Sequence, residues 1–421
     1  MLEALEILKE ILLFFWQVIK WTWWIFVPII LFVNLKNLWL DYVKSKFLKK
    51  INYVILKIRI PRYVEKSFKS MEDVFSALHS IQISSPKFKE RYIQGKTQLW
   101  LSFEIVGDEK GVSFYIRTPE EYKYLVESQM YAQYPDLELD EVDDYVNIYS
   151  SSPLPNNFWD IWGTDFALNK PSPYPILTYP FFESPKEEKI IDPLSSLMEI
   201  ISKLKVDERV WIQILFKPAN DSCVKEGEEI INKIIGKKEG KKRPFWDYIL
   251  EFFKNLIKAP FEPPEWADDS IGESSPGMVQ QLTPGQKDIV QAIQHKVSKL
   301  LFDTTIRVIY IDRRDSFSRL NITSLMGFFR QFNTLNLNGF KSAVSLKGKW
   351  PFKNQKENWN KMQFYKKYLK RGLNSEAKMV LNTEELATIF HFPANVVKAP
   401  VLTRIESKKG EPPANLPTAL D

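Results

Sequence analysis

Gly95-Lys96-Thr97 comes nearest in this 421-residue chain to a phosphate-binding chemistry. Such a cradle needs Gly-x-x-x-x-Gly-Lys-Ser/Thr between a strand and a helix, so that backbone N–H groups and a helix N-terminus surround the anion. Position 90 is Glu, and the residues after Thr97 have a strand pattern. Gly236-Lys-Lys-Glu-Gly240-Lys-Lys lacks both the spacing and the hydroxyl. The acidic run Asp136, Glu138, Asp140, Glu141, Asp143 and Asp144 offers oxygens for a hard cation, but its spacing suits the wet side and end of a strand. His79, His295 and His391 are far apart, none with a second His or Cys at ligand spacing. The single cysteine, Cys223, excludes an internal disulfide framework and fits a reducing compartment. No Gly-x-Ser-x-Gly elbow is present, so the sequence nominates no catalytic residue, cofactor or metal ligand, and a non-enzyme is expected.

Two basic stretches interleaved with aromatics suggest binding instead. Lys237, Lys238, Lys241, Lys242 and Arg243 precede a segment in which Phe245, Ile249, Phe252, Phe253, Leu256 and Ile257 recur at helical spacing, with Trp246 among them. A basic run ahead of an amphipathic helix is attracted to a membrane surface; docking on its own domain fits the pattern equally well. The second stretch, 344–373, has nine Lys/Arg against Glu357. Its Lys349, Trp350, Lys353, Trp359, Lys366, Lys367, Lys370 and Arg371 have the makings of phosphate contact with base stacking, which makes DNA a candidate partner. The simpler account is a solvated helix with an apolar docking face.

What would position these segments begins at the N-terminus. Ile11 to Val33 is interrupted only by Gln17, Thr22, Pro28 and the single charge Lys20, long enough as a helix for a hydrocarbon core of ~30 Å. Three glutamates and Lys9 precede it; five lysines and Asp41 follow between 34 and 50, including Lys44, Lys46, Lys49 and Lys50. By the positive-inside rule this predicts a single-pass anchor in the cell membrane with the body in the cytoplasm. A cleaved signal would want a basic start and a small-residue exit, which this segment lacks. Lys20 among Trp16, Trp21, Trp23 and Trp24 also suits the headgroup layer, where indoles and ammonium groups gather, so lying in the interface is the competing geometry. Residues 34–70 carry ten Lys/Arg against Asp41 and Glu65, a further reason to expect anionic headgroups nearby.

Beyond the anchor the pattern is globular. Tyr53–Ile60 reads as a strand stopped by Pro61, and Ser70 as the cap of a helix bearing Met71, Val74, Phe75 and Leu78. Gln98–Val106 and Val112–Arg117 read as a hairpin, Thr118-Pro119-Glu120-Glu121 as a helix start, and 136–146 as a last strand. The order β-α-β-β-α-β is that of a ferredoxin-like sandwich. A second body is expected with strands at 159–168, 174–182, 210–216 and 306–311, helices opened by Asp192-Pro193 and by a capping box at Thr283 and Gln286, and an excursion between. The predicted architecture is α+β: an N-terminal transmembrane helix, two ferredoxin-like α/β sandwich domains and an extended C-terminal segment. In residue numbers it is an anchor over 1–34, a basic juxtamembrane segment over 35–50, domains over 51–148 and 149–336 (insertion 237–282, amphipathic helix 244–258), and a basic-aromatic segment and linker over 337–421.

Several strings resemble a known family when taken together: Tyr53–Pro61, Leu99–Val106, Val126-Glu-Ser-Gln-Met-Tyr-Ala-Gln-Tyr-Pro135, Val210–Leu215, Arg307–Ile311 and Leu381-Asn-Thr-Glu-Glu-Leu-Ala-Thr-Ile-Phe-His-Phe-Pro393. The set is similar to the amino-terminal, non-ATPase region of membrane-associated ATPases of type IV secretion and conjugative transfer, relatives of HerA- and FtsK-like motors. The resemblance covers about 50–415 and carries no catalytic group. It implies a membrane-anchored scaffold of a DNA- or protein-transfer machine, with a P-loop ATPase subunit or domain beyond a linker such as 406–417, the lipid bilayer as a further partner, and association with a second copy of the chain allowed. The alternative is a membrane-tethered nucleic-acid-binding module using 344–373. Asn382 and Glu385 are positioned to cap a short helix, with Pro393 and Pro400 forcing extended chain after it.

Overall fold

The computed structural model describes residues 2–61, 68–84, 86–149, 153–182, 192–236, 282–373, 378–393 and 404–405. Alternation of apolar residues makes the long strands. In β1 (Tyr53–Pro61), β2 (Leu101–Asp108) and β3 (Gly111–Pro119), Leu56, Ile58, Leu101, Phe103, Ile105, Phe114 and Ile116 face one core. The β2–β3 turn is closed by Asp108, whose Oδ1 accepts from the backbone N–H of Lys110 (2.9 Å) and Gly111 (3.1 Å). In β5 (Trp159–Leu168), β6 (Arg209–Pro218) and β7 (Leu301–Arg313), Phe166, Val210, Ile212, Ile214, Ile306 and Val308 continue the same face.

The two predicted domains are not separate. β2 pairs antiparallel with β6 from Leu101 opposite Phe216 to Gly107 opposite Val210, so with Arg404–Ile405 as β10 and Phe340–Ser342 as β8 one sheet runs β10-β1-β3-β2-β6-β7-β5-β8. β4 (Glu138–Glu141) lies beside β1, and β9 (Met379–Asn382) beside the first residues of β7. The two-residue β10 is parallel to β1, and the other nine strands pair antiparallel. Outward from the β2–β6 junction the orders are β2-β3-β1-β4 and β6-β7-β5-β8, so the two halves repeat one connectivity about their shared seam.

Helices α2 (Phe68–Leu78), α3 (Lys123–Gln133), α4 (Leu194–Ser202) and α7 (Arg319–Arg330) cover one face of the sheet, and α8 (Lys353–Lys370) covers the other. α5 (Ser222–Ile235) packs on α6 (Pro284–Val297), which starts in the Thr283–Gln286 capping box. The helix expected from Thr118 starts later: Thr118 and Pro119 end β3, and a 3₁₀ turn over Glu120–Tyr122 leads into α3 without a side-chain cap. Tyr174–Phe182, expected as a strand, is irregular chain ending in a 3₁₀ turn. Pro173, Pro175 and Pro180 remove ladder donors there, and other backbone groups find side chains: Ile176 N–H donates to Glu385 Oε1 (2.9 Å) and Tyr179 N–H to Thr388 Oγ1 (3.0 Å).

Two further expectations are corrected. Residues 378–393 are not a linker: α9 (Thr383–Ile389) is capped by Asn382 and Glu385 and wholly buried, and Phe390 packs on Phe103 and Phe114 at 5.0 and 5.7 Å between ring centroids. Nor is a transmembrane helix found: among the described residues no helix is long and apolar enough to cross a membrane. α1 (Leu2–Leu48) is one 47-residue helix, and its apolar run is diluted by Gln17, Lys20, Pro28 and amphipathic indoles before passing through Lys36, Asp41, Lys44 and Lys46.

Candidate functional site

The C-terminal end of α1 is fixed to the body. Leu40 and Val43 are buried, and Trp39 Nε1 donates to the Tyr92 carbonyl at 2.8 Å. Lys36 Nζ lies 5.9 Å from the Tyr92 ring centroid. Tyr92 belongs to a π-helical turn, Glu90–Gln94, ended by Gly95 in the left-handed region (φ +70°). A Cβ at Gly95 would collide with the Val43 backbone, so the close approach of turn and helix requires glycine. From Leu38 back to Trp16 the large apolar side chains that are described point to solvent: Trp16, Trp21 (80% exposed), Trp23, Trp24, Val27, Leu35 and the consecutive Ile29-Ile30-Leu31-Phe32-Val33. Five successive residues span more than one helical turn, so this part of α1 has no covered side. An exposed apolar stretch of this size is of the kind that marks an interaction surface.

A second feature is a cleft of about 1250 Å³ between α6, the chain 175–181 and the loop 334–337. In its wall Lys299 joins two carboxylates, reaching Glu72 Oε1 at 2.7 Å and also Glu384. Tyr179 Oη donates to Glu72 Oε2 (2.7 Å), and His295 Nδ1 lies 3.8 Å from Glu384. Burial works to raise the Glu72 pKa, but hydrogen bonds from Lys299 and Tyr179 and the charges of Lys299 and Lys69 outweigh it and hold the carboxyl below its ordinary range. Lys299 is raised: burial works against its charge, and Glu384 and Glu72 more than compensate. Deeper still, Lys296 and Glu385 form a fully buried pair at 2.9 Å. The cluster joins α2, α6 and α9; its cation is saturated by carboxylates, so it reads as a structural joint. Among the described residues no three His, Cys, Asp or Glu come together to hold a metal ion.

The third feature lies under α8. The register sets Glu104, Gln213, Arg307 and Asp165 opposite one another across β2, β6, β7 and β5, a polar row on the face α8 covers. Arg307 Nε donates to Asp165 Oδ1 (2.7 Å) and Lys367 Nζ to Asp165 Oδ2 (3.0 Å). Arg371, just past α8 and in the left-handed region (φ 48°), donates to Glu104 Oε1 (2.6 Å) and Asp144 Oδ2 (2.7 Å). Although burial opposes its charge, Glu104 leads the interactions that push its pKa well above the ordinary value. Tyr145 and Tyr368 share a 2.7 Å hydrogen bond there, and burial holds both phenols protonated.

The sequence-predicted residues are therefore divided by the structure. Lys20, Trp21, Trp23, Trp24, Lys46, Lys49 and Lys50 are exposed, and Lys44 is half-buried. Lys241, Lys242, Arg243, Phe245, Trp246, Phe252 and Phe253 lie outside the described residues. Lys349, Trp350, Lys353, Trp359, Lys366 and Lys370 are exposed on the outer side of the α8 region, but Lys367 and Arg371 are committed to carboxylates. Cys223 is buried, its thiol pushed up to about 11 by burial. Sequence reasoning missed the Tyr92 turn and the polar row, since neither has a local signature: a lone Glu, Gln, Arg or Asp in an apolar strand acquires a partner only once the register is known.

Fold and site together define an α/β body of one continuous sheet bearing a rooted, uncovered apolar helix. The chain belongs to the DUF8128 family, described as a domain of unknown function, whose model matches residues 45–404. That match takes in the body and the last residues of α1. No curated protein matches the chain.

Proposed function

We propose that this protein is a non-catalytic scaffold held at a lipid bilayer by α1, whose indoles and Lys20 lie in the headgroup interface without crossing the hydrocarbon core, while the sheet body stands at the membrane surface as a docking platform. The observation that carries this reading is the conjunction of an uncovered apolar stretch, including Ile29–Val33, with a root packed on the body through Leu40, Val43, the Trp39–Tyr92 bond and Gly95. Burying a single large apolar side chain is worth about 1.5–3 kcal/mol, so several together far exceed what a surface helix leaves unused in water. The charged pairs of the body are mutually satisfied and serve to lock helices to the sheet, which supports a structural role over catalysis. The resemblance to transfer-ATPase amino-terminal regions supports a P-loop ATPase as the docked partner, with the transferred substrate DNA or protein.

The test is co-flotation of the full chain with neutral phosphatidylcholine vesicles, beside a variant lacking residues 2–35. The full chain is expected in the lipid fraction and the variant, still folded, in the soluble fraction. Flotation of both forms alike, or of neither, would remove α1 as the attachment.

A further inference from the structure

We infer that residues 86–96 form a second membrane-contacting element, a basic and apolar collar at the root of α1 that seats on anionic headgroups and fixes the tilt of the body. The inference rests on the membrane reading of α1 and adds a surface contributed by a different part of the sequence. Four observations converge on it. The segment is bound to α1 at the point where the apolar stretch gives way to polar helix, through the Trp39–Tyr92 bond, the Lys36–Tyr92 contact and the fit of Gly95 on Val43. It exposes two large apolar side chains, Phe88 (75%) and Ile93 (63%), that no core claims. Phe88 stacks on Tyr92 at 4.4 Å between centroids, which places it beside the helix. Around them Lys87, Lys89, Arg91 and Lys96 are exposed, with Glu90 turned back onto the Lys87 backbone N–H (2.9 Å) and toward Lys96.

An apolar tip ringed by cations matches a surface of anionic lipid: the exposed Phe88 and Ile93 side chains reach the acyl boundary and the Lys and Arg side chains are drawn to the headgroups. Lys36 of α1, beside Tyr92, adds to the positive rim. The collar also explains a π-helical turn ending in a glycine forced by contact: the turn is built to lie against the helix, leaving Phe88 and Ile93 outward.

The experiment uses the full chain with Cys223→Ser and single probe sites at Leu31→Cys, Phe88→Cys or Leu335→Cys. Each is labelled with a fluorophore and mixed with phosphatidylserine-containing vesicles bearing quenchers at defined depths. Deep quenching at 31, shallow quenching at 88 and none at the exposed loop position 335 is expected. Quenching at 31 with none at 88 overturns the collar and leaves the reading of α1 intact; loss of quenching at 31 overturns that reading and the collar with it. As a second arm, Lys87→Ser/Lys89→Ser/Arg91→Ser, three exposed positions, should raise the lipid needed for half-binding by about 100-fold on anionic vesicles and leave neutral vesicles unchanged. An equal effect on both vesicle types would contradict an electrostatic seat.

Discussion

α1 and α9 are both helices bearing large apolar side chains, and the chain treats them in opposite ways. In α9 and the three residues after it, Leu386, Ile389, Phe390 and Phe392 are buried against the sheet, and the polar residues of the segment have partners: Glu385 with Lys296, Glu384 with Lys299, Asn382 and Glu385 with each other's backbone. In α1 the large apolar residues described between Trp16 and Leu38 are exposed, and contact with the body is made through Lys36, Trp39, Leu40 and Val43. The difference teaches that apolar content alone does not decide burial. What sends α9 inward is its polar complement, whose bonds are satisfied only against α2, α6 and the 176–179 chain; α1 carries nothing that specifies an interior position.

Glu385→Ala leaves the fully buried Lys296 ammonium without its partner and removes the acceptor for Ile176 and Asn382 N–H. A loss of about 3–5 kcal/mol in urea unfolding is expected. A loss below ~1 kcal/mol would show that α9 is held by its apolar residues alone. Phe390→Ala opens a cavity among Phe103, Phe114 and Phe392 and should cost about 3–5 kcal/mol by the same measurement.

The joint in the cleft wall adds a pH dependence. Glu72 is held below its ordinary value of 4.5, so its contribution is present above that pH and is lost as pH falls through its folded value. Lys299 is raised above 10.5, so its contribution is present below that pH and is lost as pH rises through its folded value. Unfolding free energy should therefore be flat between about pH 5.5 and 9.5 with respect to these two groups and fall on both sides. In Glu72→Gln the acid limb should weaken; an unchanged limb would place the sensitive carboxyl elsewhere. The smallest effect belongs to the arm. Phe32→Ala should change the unfolding of the body by no more than ~0.5 kcal/mol, because the side chain is 68% exposed.

Much of this division was legible in the residues, and the part that was not has a physical reason. The Asn382–Glu385 and Thr283–Gln286 boxes are local, so their spacing suffices. β1, β2, β3, β6 and β7 announce themselves by alternation. The burial of α9 was hidden because a seven-residue helix followed by proline looks like a connector until β9 is seen to pair with β7. The seam between β2 and β6 joins segments more than a hundred residues apart, and no local pattern encodes that register. Lys366, Lys367, Lys370 and Arg371 look alike in sequence; which of them meet carboxylates follows from how α8 rotates onto the sheet. For α1, a run of apolar residues was visible, but its continuation as one 47-residue helix into the body was not.

Hydrogen–deuterium exchange compares the two helices in one measurement. In the full chain without lipid, the amides of 16–35 should exchange rapidly, as in an uncovered helix, and those of 379–392 slowly, as in a core element. On addition of phosphatidylcholine vesicles the 16–35 amides should become protected by several orders of magnitude while 379–392 stays unchanged. Slow exchange of 16–35 before any lipid is present, or no gain in protection after it is added, would contradict the account of α1 as a helix completed by a bilayer.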